Sequence, residues 1–265
     1  MTKEIYFLFA VLGLVFGSFA TVLTSRIFTG EGLWGRSICP KCKKKIFWFD
    51  NLPLLSFLLL GGKCRSCKKK ISLRYPLIEL TSLVFFLLIP ISLNYCPPSG
   101  GAISCIFLKE LGYFYYPLMI FLFLILLSTL VTDLERGVIP DIFVFLGVLV
   151  FILFYLGFDK VKIYDQLFAG FFSASFLMFL NLLTKGGGLG LGDVKLAILT
   201  GLILGFWQSV FWLMLSFILG AVAGLIIIIS GKGNMKSKVP FGPFMIVSFL
   251  AVFLFNFNLI SLVLR

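Results

Sequence analysis

YPLMIFLFLILLSTLVT, residues 116–132, is an apolar run without a single charged side chain, and Asp133 follows it directly. A run of this length and composition is typical of a helix that spans the hydrocarbon core of a bilayer. An acid at the C-terminal end of a helix opposes the helix macrodipole, so stability alone does not explain Asp133. The stretch therefore predicts a membrane-spanning helix that ends in a functional carboxylate.

Similar apolar runs recur along this chain of 265 residues, of which 60% are hydrophobic. We predict an all-α, polytopic membrane protein with about eight transmembrane helices. The first run has no clear basic flank and no small-residue cleavage site, so we expect a retained helix rather than a cleaved signal peptide. The predicted spans are approximately 4–26, 76–92, 116–132, 142–157, 165–183, two helices within 194–230 that divide near 205–208, and 241–262.

A polar block, residues 27–75, separates the first two spans. The whole chain carries a net charge of +12, and twelve of its 23 Lys and Arg residues lie from Arg26 to Arg74. Because basic loops stay in the cytoplasm, we predict that this block lies inside and that both chain termini lie outside. We attribute its charge to topology and expect no nucleic-acid partner. Contact with anionic lipid headgroups and contact with the acidic patch of a partner are two further uses of this charge. The predicted domains are a first helix (1–26), a cytoplasmic module (27–75), a second helix with an external loop (76–115) and a transmembrane domain (116–265).

Four cysteines in the polar block form two Cys-x2-Cys pairs, Cys39 with Cys42 and Cys64 with Cys67. Each pair is followed by Lys-Lys-Lys-Ile, so the block contains an internal repeat of two knuckles. Four thiolates at this spacing predict a closed, structural zinc site, and two disulfides or four free thiols are the alternatives. Disulfides are disfavoured in a cytoplasmic loop.

Two other cysteines, Cys96 and Cys105, fall in a predicted outside loop. In an oxidising compartment a disulfide between them is one expectation, and two unpaired thiols are the alternative.

The chain contains no histidine. This absence excludes a Ser-His-Asp triad, a Cys-His pair and a His-based metalloprotease. Hydrolysis would then depend on carboxylates, on lysine or on a metal held by other ligands. Asp193 is the second strong candidate, because it follows Gly190-Leu-Gly192 and opens an apolar run; its alternative reading is a helix N-cap.

Three further acids lie near predicted span ends. Asp141 and Asp165 open spans and are interpreted as helix caps. Glu79 lies one turn inside the second span, where either a favourable dipole position or a functional acid facing the basic block explains it.

Two aspartates held close together share a proton, and the pair then titrates as a unit. One acts as a general base on water, and the other protonates the carbonyl oxygen and then the leaving amine. Asp133 and Asp193 are therefore predicted to form an intramembrane aspartyl protease dyad.

The set of motifs resembles the bacterial type IV prepilin peptidase family over nearly the whole chain. The family's Gly-x-Gly-Asp signature is similar to Gly190-Leu-Gly-Asp193, and its other aspartate motif resembles residues 133–141. The Cys-x2-Cys pairs, the segment 71–80 that contains Glu79, and the segments 50–53 and 239–243 also fit.

This resemblance implies cleavage of the short basic leader of type IV prepilins or pseudopilins at the cytoplasmic face of the bacterial inner membrane. It also implies N-methylation of the new N-terminus with S-adenosylmethionine, assigned to the N-terminal half, with Glu79 as the candidate residue. The family often has Asn at the position of Thr21 in the first span, and this departure bears on methylation and not on cleavage.

Two other functions are compatible with buried acids: a membrane methyltransferase without protease activity, and an ion-coupled transporter. Transporters usually contain repeated halves, and no repeat is visible among the spans. A cleavage assay separates these alternatives. The oligomeric state is not predicted.

Overall fold

The computed structural model describes residues 3–30, 32, 35–94, 114–158, 162–231 and 239–255. These residues are mainly helical and form no β-strand, only two isolated bridges, which confirms the all-α prediction. A short 3₁₀ helix covers Trp48–Asn51. The α-helices are α1 (Lys3–Thr29), α2 (Leu55–Leu59), α3 (Arg74–Asn94), α4 (Tyr115–Arg136), α5 (Asp141–Phe158), α6 (Lys162–Leu183), α7 (Leu191–Leu204), α8 (Phe206–Ile229) and α9 (Gly242–Phe255).

Five of these helices, α1, α3, α4, α6 and α8, are long and apolar enough to cross a membrane. Helices α5 and α9 are apolar but shorter, and α7 has 14 residues. The predicted division of the run 194–230 is confirmed, because α7 ends at Leu204 and α8 begins at Phe206. Gly205 between them has a φ of 78°, which glycine adopts freely and other residues adopt only with strain. The count of eight spans stays a prediction.

The chain divides into two compact units: residues 1–94 with 119–131, and residues 95–118 with 132–265. In the first unit, Gly13 and Gly17 place α1 directly against α3. A Cβ atom added at Gly17 would lie 2.8 Å from Cβ of Ser82 and 2.9 Å from Cα of Glu79. The hydroxyl of Ser82 donates to the carbonyl oxygen of Gly13 at 2.6 Å. This is a Gly-x-x-x-Gly contact, in which small residues let membrane helices approach closely.

The second unit uses the same device between α6 and α7. A Cβ atom at Gly201 would lie 2.8 Å from the carbonyl oxygen of Ala169 and 2.9 Å from Cα of Gly170. Helices α8 and α9 are joined by a buried hydrogen bond of 2.8 Å from the indole N–H of Trp212 to the carbonyl oxygen of Met245. These contacts pack the C-terminal half of α7 against α6 and the first turn of α9 against α8.

Some predicted details differ or lie outside the described residues. Helix α4 continues one turn past Thr132 and ends at Gly137, which adopts the left-handed conformation that terminates helices. Asp165 lies in the first turn of α6 rather than at its cap, because that helix begins at Lys162. Cys96 and Cys105 fall outside the described residues, so their pairing stays a prediction. The four predicted domain boundaries also stay predictions.

Candidate active site

Asp133 lies in the last turn of α4 and is 5% exposed. Its carboxylate faces the first residue of α9: a Cβ atom added at Gly242 would lie 2.5 Å from Oδ2 and 3.1 Å from Cγ of Asp133. The backbone amide of Gly242 adds a favourable interaction with this carboxylate. An acid that opposes the dipole of its own helix is thus compensated by the positive end of another helix.

Asp193 lies at the third position of α7 and is 7% exposed. Its Oδ2 accepts the backbone N–H of Gly190 at 3.0 Å, and Gly190 is the residue that caps the helix. The reading of Asp193 as the N-cap is therefore wrong by three positions. The turn before it is fixed by Asn181, whose side-chain amide donates to the carbonyl oxygen of Leu189.

The structure brings the two aspartates together: they lie close enough for their negative charges to repel each other. Oδ2 of Asp133 is buried and has no hydrogen-bond partner within the described part of the chain. Two adjacent carboxylates in a buried site hold one proton more easily than two charges. Their role in catalysis stays a prediction at this point.

Ile139 is a structural residue of the site that the sequence analysis did not identify. It is 6% exposed and lies in the turn between α4 and α5. A Cβ atom added at Gly192 would lie 3.0 Å from Cβ of Ile139, and a Cβ atom added at Gly242 would lie 3.4 Å from Cδ1 of Ile139. Ile139 therefore packs against the starts of both α7 and α9. Its apolar character inside a charged turn was the available signal.

Asp141 does not join the pair. It is the first residue of α5, and its side chain is 56% exposed. It forms a salt bridge with Lys195, whose Nζ lies 2.7 Å from Oδ1 of Asp141. Asp141 is therefore the first helical residue rather than the predicted cap, which lies one position earlier. Because Lys195 follows Asp193 by two residues, the salt bridge connects the start of α5 to the start of α7.

The four predicted zinc ligands form one cluster in the first unit. The Sγ atoms of Cys39, Cys42, Cys64 and Cys67 all lie within 4.8 Å of one another. Tetrahedral zinc with Zn–S bonds of about 2.3 Å requires sulfur separations of about 3.8 Å, so this set fits zinc after a small contraction.

The two knuckles repeat the same backbone geometry, as their sequences predicted. Lys43 donates its N–H to the carbonyl oxygen of Cys39 at 2.8 Å, and Lys68 donates to that of Cys64 at 2.9 Å. Both lysines have a positive φ, 58° and 57°. This shared turn aims the two sulfurs of each knuckle at one point.

The thiols affect one another's ionisation. Hydrogen bonding, first from the backbone N–H of Cys42, lowers the pKa of Cys39 to about 6. Although the backbone N–H of Lys69 lowers the pKa of Cys67, desolvation and the neighbouring thiols raise it to about 11. Four thiolates at this distance repel one another, and a divalent cation among them removes that cost.

A cavity of about 560 Å³ lies in the first unit, between the cysteine knuckles and helices α1 and α3. Thr21 and Glu79 both line it, together with a ring of lysine and arginine side chains. Glu79 is 8% exposed, and its Oε2 accepts the backbone N–H of Leu54 at 2.8 Å. The cavity therefore has one buried carboxylate on its α3 wall.

Two family models match successive parts of the chain. A family model described as the bacterial peptidase A24 N-terminal domain matches residues 11–93, and the model of the type IV leader peptidase family matches residues 120–225. A prepilin leader peptidase/N-methyltransferase of Vibrio cholerae is 30% identical over 93% of this chain and 95% of that protein.

Proteins with the same name from other bacteria are similarly related. That of Bacillus subtilis is 28% identical over 95% of this chain and 94% of its own length. That of Neisseria gonorrhoeae is 32% identical over 93% of this chain and 89% of its own length. No solved structure matches the chain.

Proposed function

The chain belongs to the type IV leader peptidase family, and we propose that it is a membrane-embedded aspartyl endopeptidase with Asp133 and Asp193 as its catalytic pair. Its proposed substrates are type IV prepilins or pseudopilins, whose short basic leader it removes at the cytoplasmic face of the inner membrane. The observation that carries the proposal is that both carboxylates are buried beside one shared residue: Ile139 packs against Gly192, which precedes Asp193, and against Gly242, which faces Asp133.

The chemistry follows from the shared proton. The ionised aspartate takes a proton from a water molecule, and that water attacks the scissile carbonyl carbon. The protonated aspartate donates to the carbonyl oxygen, and a proton then passes to the leaving amine. The buried position keeps bulk water away and strengthens both interactions.

The test of the proposed cleavage is mass spectrometry of a prepilin incubated with the purified protein in liposomes. We expect one new product that is shorter by the leader. A folded protein that leaves the prepilin intact under all lipid compositions tried would rule out the protease and favour the transporter or methyltransferase alternatives.

We propose N-methylation as a second activity, because the names of the relatives combine a leader peptidase with an N-methyltransferase. The cavity beside Glu79 is the candidate site for S-adenosylmethionine, which supplies an electrophilic methyl group when bound. A volume of about 560 Å³ is within the range of small-molecule sites. The buried carboxylate suits a cationic ligand or substrate group.

We propose zinc as the structural metal of the cysteine cluster, held by Cys39, Cys42, Cys64 and Cys67. The cluster supplies four ligands of the preferred type and leaves no open position for catalysis. The metal would therefore fix the wall of the cavity rather than take part in the reaction.

Cys64→Ser is expected to reduce bound zinc from about one per chain to near zero, because three thiolates hold the ion much less tightly than four. Elemental analysis of the purified protein measures this directly. Ser66→Ala, a change in the same knuckle at a residue that is not a ligand, is the matched control and should keep its zinc. Full zinc content in the Cys64→Ser protein would contradict the four-cysteine site.

A further inference from the structure

We propose that Glu79 binds the new N-terminal amine of the cleaved pilin and accepts its proton before methyl transfer. This inference rests on the proposed methylation and adds the residue that would recognise the methyl acceptor.

Glu79 lies on α3 five residues after Arg74, the first residue of the helix, which is about 7.5 Å along the helix axis. Gly17 of α1 packs against its Cα, so the carboxylate is fixed where the two membrane helices meet. A pilin chain held in the membrane presents its new N-terminus near the bilayer surface. The membrane-side wall of the cavity is thus the end that such an amine reaches first.

The hydrogen bonds of Glu79 leave one oxygen open for a ligand. Oε2 accepts the N–H of Leu54, which has a positive φ of 56°. Within the part of the chain that the structure describes, this is the one polar partner of the carboxylate, and Glu79 also lines the cavity. We therefore assign Oε1, rather than the occupied Oε2, to the incoming donor group.

The other carboxylate that lines the cavity is already neutralised. Oδ1 of Asp50 accepts Arg65 Nη2 at 2.7 Å, and Oδ2 accepts Arg65 Nε at 2.8 Å. The remaining charged side chains of the cavity wall are basic. Among the residues that line the cavity, Glu79 is thus the acid whose charge is available to a cation.

Methylation requires the neutral amine, because the attack uses the nitrogen lone pair. An α-amine with an ordinary pKa of about 7.7–8.0 is mostly protonated at neutral pH. In the proposed step the ammonium gives a proton to the Glu79 carboxylate, and the amine attacks the methyl carbon of a sulfonium donor. The carbon–sulfur bond breaks with its electron pair remaining on sulfur, and a methylated ammonium results. Glu79 then releases its proton to water in the cavity.

The test uses Glu79→Gln, because the amide oxygen of Gln still accepts the Leu54 N–H while the charge is lost. We expect the methylation rate of cleaved pilin to fall about tenfold or more, with cleavage, zinc content and binding of S-adenosylhomocysteine unchanged. Glu79→Asp, which keeps the charge at a shorter reach, should restore part of the rate.

A binding measurement tests the acceptor role without any reaction. A synthetic pilin N-terminal segment with a free amine should bind the wild-type protein about tenfold tighter than its N-acetylated form. Glu79→Gln should remove this preference. Glu4→Gln, the same change at an exposed acid of α1 that does not line the cavity, should keep it.

The contrary outcomes distinguish a wrong role for Glu79 from a wrong assignment of methylation to this protein. Loss of S-adenosylhomocysteine binding in Glu79→Gln would mean that Glu79 binds the methyl donor. Loss of zinc or of thermal stability in this variant would mean that Glu79 has a structural role. Either result overturns the inference. Wild-type methylation rates in Glu79→Gln would overturn the inference and leave the proposed methylation intact. A wild-type protein that cleaves but never methylates would instead overturn the proposed second activity, and the inference with it.

Discussion

Asp133→Asn and Asp193→Asn are each expected to reduce prepilin cleavage by about 10³-fold or more, which is within the range that positioned acid–base groups contribute. Each change is nearly isosteric and removes only the ability to ionise. In the proposed mechanism the two carboxylates share one proton, so the loss of either partner removes both the base and the acid of the pair. The measurement is the initial rate of leader removal in liposomes.

The two variants should keep the fold. Asn at position 193 still offers an oxygen to the N–H of Gly190, which Asp193 accepts at 3.0 Å. Asn at position 133 still fits beside Gly242. Equal melting temperatures and equal zinc content in the variants and the wild type would attribute the lost rate to chemistry.

Asp141→Asn is the matched control for the pair. Asp141 lies in the same turn region but is exposed and bound to Lys195 at 2.7 Å. An exposed salt bridge contributes about 0–1 kcal/mol, so this variant should cleave at close to the wild-type rate. A loss at Asp141 as large as at Asp133, or a near-normal rate in either dyad variant, would show that the pair is assigned to the wrong residues.

The local features of the site could be predicted from the sequence. Asp133 and Asp193 stood out because each is an acid beside an apolar run, where a charge is costly. The knuckles were predictable because Cys39–Cys42 and Cys64–Cys67 repeat one short pattern, and short-range spacing determines their geometry. The break at Gly205 followed from a run too long for one helix.

The surroundings of Asp133 could not be predicted in the same way. They depend on Gly242, a residue more than 100 positions later, whose helix begins against the carboxylate. No local pattern in residues 133–141 indicates this contact. Two other contacts of this turn are also tertiary: the ion pair of Asp141 with Lys195, and the packing of Ile139 against Gly192. Helix-capping rules, which use only neighbouring residues, therefore could not predict the surroundings of the turn.

Gly242→Ala is expected to lower cleavage by about 10²-fold, because a displacement of about 1 Å in a catalytic group costs this much. The added Cβ atom would lie 2.5 Å from Oδ2 of Asp133, closer than nonbonded atoms approach, and 3.1 Å from Cγ, which is a tight contact. Either the Asp133 carboxylate or the start of α9 must move. Ile139, whose Cδ1 would lie 3.4 Å from the same Cβ, limits movement in the other direction.

Gly224→Ala provides the control for this substitution. Gly224 lies inside α8, and a Cβ atom added there meets nothing within 4 Å. The alanine should leave cleavage unchanged and raise stability slightly, since glycine in a helix interior costs roughly 0.5–1 kcal/mol relative to alanine. Comparing the two variants separates the effect of the alanine methyl group at position 242, which presses against Asp133, from a general effect of alanine in a membrane helix.

The size of the Gly242 effect also tests how the acid is held. Asp133 sits where its own helix dipole disfavours a charge, and the N-terminus of α9 supplies the compensating amide. If this contact matters, Gly242→Ala should lower the maximal rate at saturating prepilin and leave KM nearly unchanged, because the substrate site is not altered. A rise in KM with an unchanged maximal rate would mean that Gly242 contacts the substrate instead, and the proposed compensation by α9 would be wrong.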